Sequence, residues 1–207
     1  MLDGRYARLE PLSVDQHEAD LFASAREPGN EARFRYLFDR VPADEREFRD
    51  WVQKAVATDD PLFFAVIDKA TGRAEGRQAL LRIDPVHGVV EIGHILWGPA
   101  IARTRVATEA LYLSAEYVFD ALGYRRFEWK CNDLNLPSRQ AALRFGFTFE
   151  GIFRQHMVVK GQNRDTAWFS IIDTEWPTLR ARYQHWLAPD NFDARGRQLR
   201  KLDAFRT

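Results

Sequence analysis

Cysteine, net charge and long apolar runs are all scarce in this 207-residue sequence. Because Cys131 is alone, an intramolecular disulfide, a CxxC motif and a zinc site built from several thiolates are excluded. Lys+Arg and Asp+Glu both number 30, and the resulting zero charge argues against a nucleic-acid partner. No apolar run has the length of a membrane span, and the first residues lack the apolar core of a signal peptide. These absences predict a cytoplasmic protein that has no membrane partner.

The composition that is present is typical of a packed globular chain. Hydrophobic residues make up 45% and aromatic residues 13%, which is enough to bury a sizeable core. We predict one domain over residues 1–187 and a charged C-terminal tail over residues 188–207. The sequence contains no internal repeat and no low-complexity segment.

Hydrophobic periodicity predicts the order of the strands and helices. Ser13 to Gln16 has the spacing of a capping box that opens a helix to about Arg26. Short turns at 69–72 and 85–88 indicate antiparallel strands ahead of a strand that begins at Val89. That strand, a helix of about 18 residues and a further strand form a crossover unit, so the two strands should be parallel. The prediction is an α+β fold with a mixed sheet.

The stretch 91–110 has the layout of an anion-binding site. A strand over Glu91 to Trp97 is broken by Gly98-Pro99, and an amphipathic helix follows a short loop. The first N–H groups of a helix lack partners within it, and the helix dipole adds positive potential there. Arg103 and Arg105 lie beside this terminus, and guanidinium groups suit phosphate oxygens. The stretch therefore predicts a phosphate-bearing ligand, with two solvated surface arginines on a repurposed fold as the alternative.

Three groups of motifs follow one another along the chain in a set order. They are Glu91-Ile-Gly-His94 with Val106-Ala-Thr-Glu-Ala110, then Asn135-x-x-Ser138 with Ala142-Leu-Arg-Phe-Gly-Phe147 and Glu150-Gly151, then Gly161-x-x-x-Asp165 with Glu175-Trp176-Pro177. Each motif alone is weak, but the ordered set covers roughly residues 5–180 and is specific. In these motifs the chain resembles the GNAT superfamily of N-acetyltransferases. Within it, the chain is most similar to the branch of the ribosomal-protein N-terminal acetyltransferases.

The resemblance implies a mostly antiparallel sheet flanked by helices, with a central parallel strand pair that splays apart. It implies acetyl-CoA as donor, an amine as acceptor and no metal, and it allows a homodimer through a late hairpin around 161–165. By the same analogy the pantetheine arm contacts Asn135 and the backbone of Ile95, Leu96 and Trp97. The pyrophosphate is bound by the amides of a continuous run: Arg103, Thr104, Arg105, Val106, Ala107 and Thr108.

The phosphate loop departs from the family pattern. Relatives usually carry glycine at two positions that here are Arg103 and Arg105. Glycine permits close backbone approach and positive φ, whereas an arginine at positive φ would cost roughly 1–2 kcal/mol. Two interpretations stay open. Either the loop has ordinary geometry and the guanidinium groups replace lost amide contacts, or coenzyme A binding is weakened.

Acetyl transfer from a thioester to an amine needs a neutral amine, a donor to the oxyanion and a proton for the thiolate. By the resemblance, a backbone N–H serves the oxyanion and Ser138 lies near the leaving sulfur as thiolate donor, with a helix-capping role as the alternative. Glu91 and His156 are the candidate general bases. His94 alternates with Glu91 on the same strand, so only one of them faces the cleft unless a bulge intervenes. Met157 replaces a glutamate of some relatives, which leaves the base assignment open.

The acceptor is predicted from the cost of deprotonating it. At pH 7 an α-amine costs about 1 kcal/mol and a lysine about 4.6 kcal/mol, so a site without a strong base suits an amine of low pKa. We predict an N-acetyltransferase in which an amine, such as a peptide or protein N-terminus, attacks acetyl-CoA directly in a ternary complex. A small-molecule amine, either antibiotic or metabolite, is the alternative acceptor. A non-catalytic acyl-CoA-binding module is the alternative from another class. The aromatic segment 34–38 and the 161–165 turn either shape the acceptor pocket or simply pack.

Overall fold

The computed structural model of the chain describes residues 1–205. This part contains eight strands: β1 (Leu2–Asp3), β2 (Ala7–Pro11), β3 (Leu62–Asp68), β4 (Arg73–Asp84), β5 (Val89–Trp97), β6 (Arg126–Asn132), β7 (Thr148–Val159) and β8 (Gln162–Ile172). Its α-helices are α1 (Val14–Arg26), α2 (Glu31–Phe34), α3 (Glu45–Val56), α4 (Arg105–Glu116), α5 (Leu136–Arg144) and α6 (Trp176–Trp186).

The sheet has the strand order β1-β2-β3-β4-β5-β6-β8-β7 and is mostly antiparallel. The parallel pair is β5 and β6, which α4 connects along the chain. A parallel neighbour requires a crossover of a dozen or more residues, and a helix is the usual one. The prediction of an α+β fold with a mixed sheet and a parallel pair is confirmed.

Backbone contacts divide the chain into two compact units. The first comprises Met1–Ile83 and Ile92–Leu113, and the second comprises Asp84–Glu91 and the chain from Ser114 onwards. In the first unit, α1 and α3 bury an apolar face against β3, with Phe48, Val52 and Phe63 all at or below 9% exposure. The hydrophobic effect of this burial is what holds the two helices on the strands.

The second unit is built around an apolar face of β6. Phe127, Trp129 and Cys131 are buried on alternate positions of that strand, as the period of two predicts. The rings of Phe145 and Phe147, which follow α5, pack on Trp129 with centroid distances of 6.1 and 5.7 Å. This packing fixes α5 against β6 and so fixes the side chains at the start of α5.

The predicted capping box at Ser13 does not form. Ser13 precedes α1 in an extended conformation, but its side chain makes no capping hydrogen bond. Its backbone N–H instead donates to Nδ1 of His17 over 3.1 Å, and Nε2 of His17 lies 2.9 Å from a carboxylate oxygen of Glu10. The buried side chain of His17 therefore replaces the capping box. It contacts both Ser13 and Glu10, because its ring reaches the start of the helix from the first turn.

The predicted turn at 161–165 is also wrong. β7 ends at Val159 and β8 begins at Gln162, so only Lys160 and Gly161 form the turn. Their φ values are 53° and 77°, and two consecutive positive φ values are the mark of a type I′ hairpin turn. This turn follows the twist of the strands, so pairing continues through residues that look like a loop in the sequence.

Residues 188–205 of the predicted tail have structure, whereas residues 206 and 207 lie outside the described residues. Short 3-10 helices cover Pro189–Asn191 and Leu202–Phe205. Asn191 is 5% exposed, and its side-chain amide donates to the carbonyl of Trp186 over 2.9 Å. This hydrogen bond ties the segment to the end of α6.

Candidate active site

The loop that leaves β5 is held in place by a glycine. The N–H of Gly98 donates to the carbonyl of Glu75 over 2.8 Å. A Cβ atom at Gly98 would lie 2.6 Å from that carbonyl oxygen and 2.0 Å from Oγ of Ser24. Such contacts are too short for any side chain, so Gly98 is required where the chain turns from β5 toward α4.

Thr104 caps the N-terminus of α4. Its Oγ1 accepts the N–H of Val106 over 3.1 Å and donates to the carbonyl of Ile101 over 2.7 Å. The N–H of Thr104 donates to Ile101 and the N–H of Thr108 donates to the Thr104 carbonyl, over 3.1 and 3.3 Å. At least three of the six amides between 103 and 108 therefore already donate to protein oxygens. The predicted helix terminus is present, and part of its donor capacity is used by the cap.

The two loop arginines have different backbone conformations. Arg103 has a φ of 65°, in the left-handed region, whereas Arg105 is the first residue of α4 and is helical. The interpretation that the whole loop has ordinary geometry is therefore wrong at Arg103. Arg103 is exposed, and its charge adds to desolvation in lowering the pKa of Arg33. The start of α4 thus has a concentrated positive charge.

Arg105 is placed by the N-terminal segment of the chain. Its guanidinium carbon lies 4.2 Å from the centroid of the Tyr6 ring. The backbone beside that ring is anchored by Glu109, which is 4% exposed. Carboxylate oxygens of Glu109 accept the N–H groups of Arg5, Tyr6 and Ala7 at 2.9, 2.5 and 2.6 Å. Glu109, one helical turn after Arg105 on α4, therefore fixes the backbone beside the Tyr6 ring that the Arg105 guanidinium contacts.

The end of β5 is connected to α4 by side chains. Nε1 of Trp97 donates to Oε1 of Gln78 over 3.0 Å, and Nε2 of Gln78 donates to the Ala110 carbonyl over 3.0 Å. Gln78 is 1% exposed, so both ends of its amide are satisfied in a buried position. Leu96 is 7% exposed and packs in a small core with Phe34. Segment 34–38 was predicted either to shape the acceptor pocket or simply to pack. For Phe34, packing in the core is what the structure shows.

Within β5, His94 has a left-handed backbone conformation with a φ of 50°. Its ring lies 5.1 Å from the Phe63 ring and 5.7 Å from the Phe38 ring. Its carbonyl accepts a hydrogen bond from Arg77, a guanidinium that is 2% exposed and is paired with Asp39. This positive φ is a local irregularity within β5, and the question of which of Glu91 and His94 faces the cleft stays at the stage of prediction.

Glu91 is buried in an ion-pair cluster. Nζ of Lys130 lies 3.0 Å from Oε2 of Glu91 and 2.7 Å from Oε2 of Glu128. All three side chains are 10% exposed or less, and their formal charges sum to minus one. Lys130 also lies 3.9 Å from the centroid of the Trp168 ring, which adds a cation–π contact. Glu91 is thus held as one member of a structural charge cluster.

Ser138 lies in the first turn of α5 on the other face of β6. Asn135 is the N-cap, since its Oδ1 accepts the N–H of Ser138 over 3.2 Å. Oγ of Ser138 accepts the indole N–H of Trp129 over 3.0 Å, and burial raises the pKa of the Cys131 thiol while Ser138 acts to lower it. The capping role belongs to Asn135, so the alternative interpretation of Ser138 is wrong. Because the hydroxyl accepts from Trp129, its own hydrogen can be donated.

His156 sits in a bulge of β7. The register with β8 shifts between Phe153 and Met157, and Gln155 has a φ of 49°. Nδ1 of His156 lies 3.0 Å from Oγ1 of Thr166. The ring packs against Phe153 at 5.1 Å in an edge-to-face arrangement. Bulges of this kind re-aim a side chain, and here the result is a histidine with one nitrogen fixed.

Glu91 and His156 both lie in the second unit. They are connected through the side chains of Lys130 and Trp168. Lys130 pairs in register with Trp168, and the Trp168 ring lies 6.3 Å from the His156 ring. Ser138 contacts Trp129, which points to the opposite face of β6 from Lys130. The two candidate bases and the candidate thiolate donor are therefore on opposite faces of one strand.

Sequence reasoning missed several residues of these clusters. The charges at Glu128 and Lys130 alternate with the apolar face of β6, and that alternation was the available signal. Thr166 and Arg164 carry no such signal, because the contact of Thr166 with His156 depends on the register of the last hairpin and Arg164 contacts Thr166. The burial of Arg77 on β4 likewise has no signal in the sequence.

Two further observations concern the kind of site. Among residues 1–205, no three His, Cys, Asp or Glu side chains are grouped so that they could hold a metal ion. Within the same residues, no helix combines the length and the apolar character needed to cross a membrane.

Comparison with known proteins places this geometry in a family. The model of the acetyltransferase (GNAT) domain matches residues 8–148. A GCN5-related N-acetyltransferase from Brucella melitensis has a crystal structure similar to this chain, with 60% identity and a TM-score of 0.97 over 99% of this chain and 93% of that one. The uncharacterized N-acetyltransferase p20 of Bacillus licheniformis is 31% identical over 117 residues, or 55% of this chain. The match spans 63% of that relative's length, less than two thirds.

A more distant solved structure shares the fold of this chain. An acetyltransferase from Salmonella typhimurium that modifies the N-terminal serine of a 50S ribosomal subunit protein is 20% identical, with a TM-score of 0.70 over 82% of this chain and 96% of that one. This likeness concerns the fold alone. The family model, in contrast, matches well over half of the sequence, and the motifs that carry the resemblance lie largely within the match. The chain belongs to the GNAT acetyltransferase family.

Proposed function

We propose that this protein is an N-acetyltransferase that moves the acetyl group of acetyl-CoA to an amine. The observation that carries the proposal is the capped start of α4, directly after β5, with Arg103 and Arg105 beside it in a chain of the GNAT family. A helix N-terminus with adjacent guanidinium groups is a site for phosphate. A non-catalytic acyl-CoA-binding module would share this feature, so the chemistry rests on the residues of the second unit.

The fit of the loop to a pyrophosphate depends on its two kinds of donor. The amides of Thr104, Val106 and Thr108 already donate to protein oxygens, which limits a cradle made of backbone alone. We therefore assign the larger share of phosphate binding to the guanidinium groups of Arg103 and Arg105. The backbone of Ile95 to Trp97 and the side chain of Asn135 remain our assignments for the pantetheine arm.

The transfer reaction proceeds by direct attack. The amine nitrogen attacks the thioester carbonyl carbon, and the carbonyl electron pair moves to oxygen as the C–N bond forms. Collapse of this tetrahedral oxyanion restores the carbonyl and breaks the C–S bond, which releases the thiolate of coenzyme A. The nitrogen gives one proton to the imidazole of His156, which passes it to solvent. The thiolate takes one proton from Ser138, which regains it from solvent.

His156 is our choice of general base over Glu91. A base needs a lone pair that is offered to the acceptor, and Glu91 is held by Lys130 inside a buried cluster. His156 lies in the bulge of β7, where the contact of Nδ1 with Thr166 fixes the position of its ring. A neutral imidazole is a moderate base, so the acceptor best suited to it is an α-amine, as at a peptide N-terminus. A cytoplasmic location and a homodimer stay predictions.

The function is tested by calorimetric titration with acetyl-CoA followed by an acceptor screen for thiol release. The screen contains short peptides with free α-amines, the same peptides with blocked N-termini and one lysine, and amine-bearing small molecules. We expect binding in the micromolar range (about −8 kcal/mol) and turnover of the α-amine peptides but not of the blocked ones. Binding without thiol release from any acceptor would favour a non-catalytic module. Turnover of small molecules alone would move the acceptor to the alternative class.

A further inference from the structure

Trp168, in the middle of β8, has a buried indole nitrogen without an acceptor. In the part of the chain that the structure describes, no group accepts a hydrogen bond from Nε1 of Trp168, although the residue as a whole is partly exposed. An indole N–H can only donate, and a donor that is removed from water without an acceptor costs free energy in folding. Such a donor calls for an explanation in the function of the protein.

The other tryptophans show that this chain usually satisfies its indole groups. Four of them donate their N–H to a side-chain oxygen: Trp97, Trp129, Trp176 and Trp186. Within residues 1–205 a buried polar atom without a partner also occurs in Asn30, Arg77 and Arg182. Each of those three side chains makes a hydrogen bond through another of its polar atoms. Trp168 has no second polar atom, so its side chain makes no hydrogen bond to the protein.

The strands on either side of Trp168 leave the edge of the indole unused. Lys130 is its register partner on β6, and Nζ of Lys130 lies 3.9 Å from the ring centroid. This cation–π contact uses the face of the ring, whereas the N–H lies at its edge. Gly151 is the register partner on β7, and a Cβ atom there would meet nothing within 4 Å apart from its chain neighbours. The strand opposite Trp168 therefore leaves open space.

Phe153 is the exposed neighbour of the indole. The centroids of the two rings are 5.6 Å apart, and Phe153 is 57% exposed. The register of β7 with β8 shifts directly after this residue. An exposed side chain changes rotamer within nanoseconds, so Phe153 can move and open a path to the indole edge without any change in the sheet.

We propose that the indole N–H of Trp168 binds the carbonyl oxygen of the first residue of a peptide acceptor. Lys130 is already paired with Glu91 and Glu128, and these two carboxylates disfavour another anion, so a neutral carbonyl suits the site better than a carboxylate. The rings of His156 and Trp168 are 6.3 Å apart. One aminoacyl group can therefore place its amine at His156 and its carbonyl at Trp168. The inference rests on the proposed function for the amine, whereas the carbonyl contact is observable without turnover.

The direct test is proton–nitrogen NMR of the indole groups in the presence of coenzyme A, which has no acetyl group to transfer. The Trp168 signal is assigned by its loss in Trp168→Phe. Glycinamide, which has an amine and a carbonyl, should shift the Trp168 proton downfield and slow its exchange with water. Propargylamine has an amine of similar pKa but no carbonyl, and it should do neither. An unmoved signal across the glycinamide titration, or an equal shift with both amines, would overturn the inference whether or not the protein acetylates any amine.

The kinetic test removes the N–H and the carbonyl in turn. Trp168→Phe keeps an aromatic ring over Lys130 but has no donor. We expect kcat/KM to fall by about tenfold for glycinamide and by less than about twofold for propargylamine. Because the same substitution acts on both amines, the difference between the two losses isolates the contact of the N–H with the carbonyl. Equal losses would show that Trp168 has a structural role only. Failure of every amine to release thiol would instead count against the proposed function.

Trp186→Phe provides the matched control. Trp186 is 2% exposed, and its indole N–H donates to Oε1 of Gln198 over 3.0 Å in the C-terminal segment. This variant loses the same donor and the same ring volume at a position where the protein supplies the acceptor. It should leave the preference for glycinamide over propargylamine and the shift of the Trp168 signal unchanged. If Trp186→Phe lowers kcat/KM for glycinamide alone as strongly as Trp168→Phe does, the effect belongs to lost packing and not to the carbonyl contact.

Discussion

The loop before α4 and the bulge in β7 each place a residue other than glycine in the left-handed region, but the two are stabilised differently. In the bulge, the N–H of Gln155 donates to Oδ1 of Asp165 over 2.7 Å. This bond is the first cause of the lowered pKa of Asp165. In the loop, Arg103 is exposed and has a φ of 65°. The bulge thus has a local compensation for its strained residue, whereas the side chain of Arg103 extends into solvent.

This difference in stabilisation indicates which residue has a function in each region. An uncompensated left-handed arginine costs about 1–2 kcal/mol, and such strain persists where the conformation serves a purpose. At Arg103 the purpose we assign is phosphate binding by the guanidinium. In the bulge, the compensated residue is Gln155, and the purpose we assign belongs to its neighbour His156.

Replacement of His156 by alanine should have the largest effect. We expect kcat to fall by about 10²–10⁴-fold, the usual contribution of a positioned general base, with the affinity for acetyl-CoA retained. His87→Ala is the control, since His87 is exposed in the turn between β4 and β5. If the two variants lose equal activity, or if neither does, the bulge has no catalytic role.

Replacement of Glu109 by alanine should destabilise the loop region through the backbone. Three N–H groups, of Arg5, Tyr6 and Ala7, lose their acceptor, and the free energy of unfolding should fall by about 3 kcal/mol. Glu109→Gln keeps one acceptor oxygen and should lose clearly less. Chemical denaturation measures both. Equal stability of the alanine variant and the wild type would show that this carboxylate does not anchor the segment beneath Arg105.

Removal of both loop arginines tests the phosphate assignment. Arg103→Ala with Arg105→Ala should weaken acetyl-CoA binding by tenfold or more, or about 1.4 kcal/mol, in a calorimetric titration. A control with Arg195→Ala and Arg200→Ala removes the same charge from exposed positions and should bind as the wild type does. Unchanged affinity in the loop variant would discard the guanidinium account and leave the backbone amides as the site.

Glycine substitutions at the two loop positions should act with opposite signs. Arg103→Gly relieves the left-handed strain and should raise the free energy of unfolding by about 0.5–1 kcal/mol. Arg105→Gly puts glycine into the first turn of α4 and should lower it by a similar amount, about 0.5–1 kcal/mol. Thermal and chemical unfolding give both signs. A stabilised Arg103→Gly variant with weaker coenzyme binding is the outcome that identifies strain kept for function.

The smallest effect concerns the exposed end of the charged face of β6. Arg126 donates to Glu150 over 2.7 Å, and this bond is the first cause of the lowered pKa of Glu150. A carboxylate with a lowered pKa adds stability above its unfolded pKa, near 4.3, and loses that contribution as pH falls through the folded value. Glu150→Gln should thus be about 0.5 kcal/mol less stable at pH 7. The difference should vanish in acid. A gap that persists at low pH would reflect packing instead of charge.

The regions also differ in how far they could be predicted from sequence. The loop lies within the stretch 91–110, so its strand, its break at Gly98 and its helix are legible as local patterns. Asn135 and Ser138 were proposed from the motif that the chain shares with the GNAT superfamily, and they lie at the start of α5. The left-handed conformation of Arg103 was the exception, because neighbouring contacts and not propensity determine it.

Local chain chemistry was enough to set the order of the elements, the parallel crossover, the buried face of β6 and the cationic start of α4. Each depends on residues within a few turns of one another, whose periodicity and turn preferences act without distant partners. Only the folded structure determines the ion-pair partners of Glu91, the cation–π contact of Arg105 with Tyr6, and the contact of His156 with Thr166. Those contacts join residues on different elements, and for the contacts between strands a shift of one residue in register would turn the side chain to the other face of the sheet.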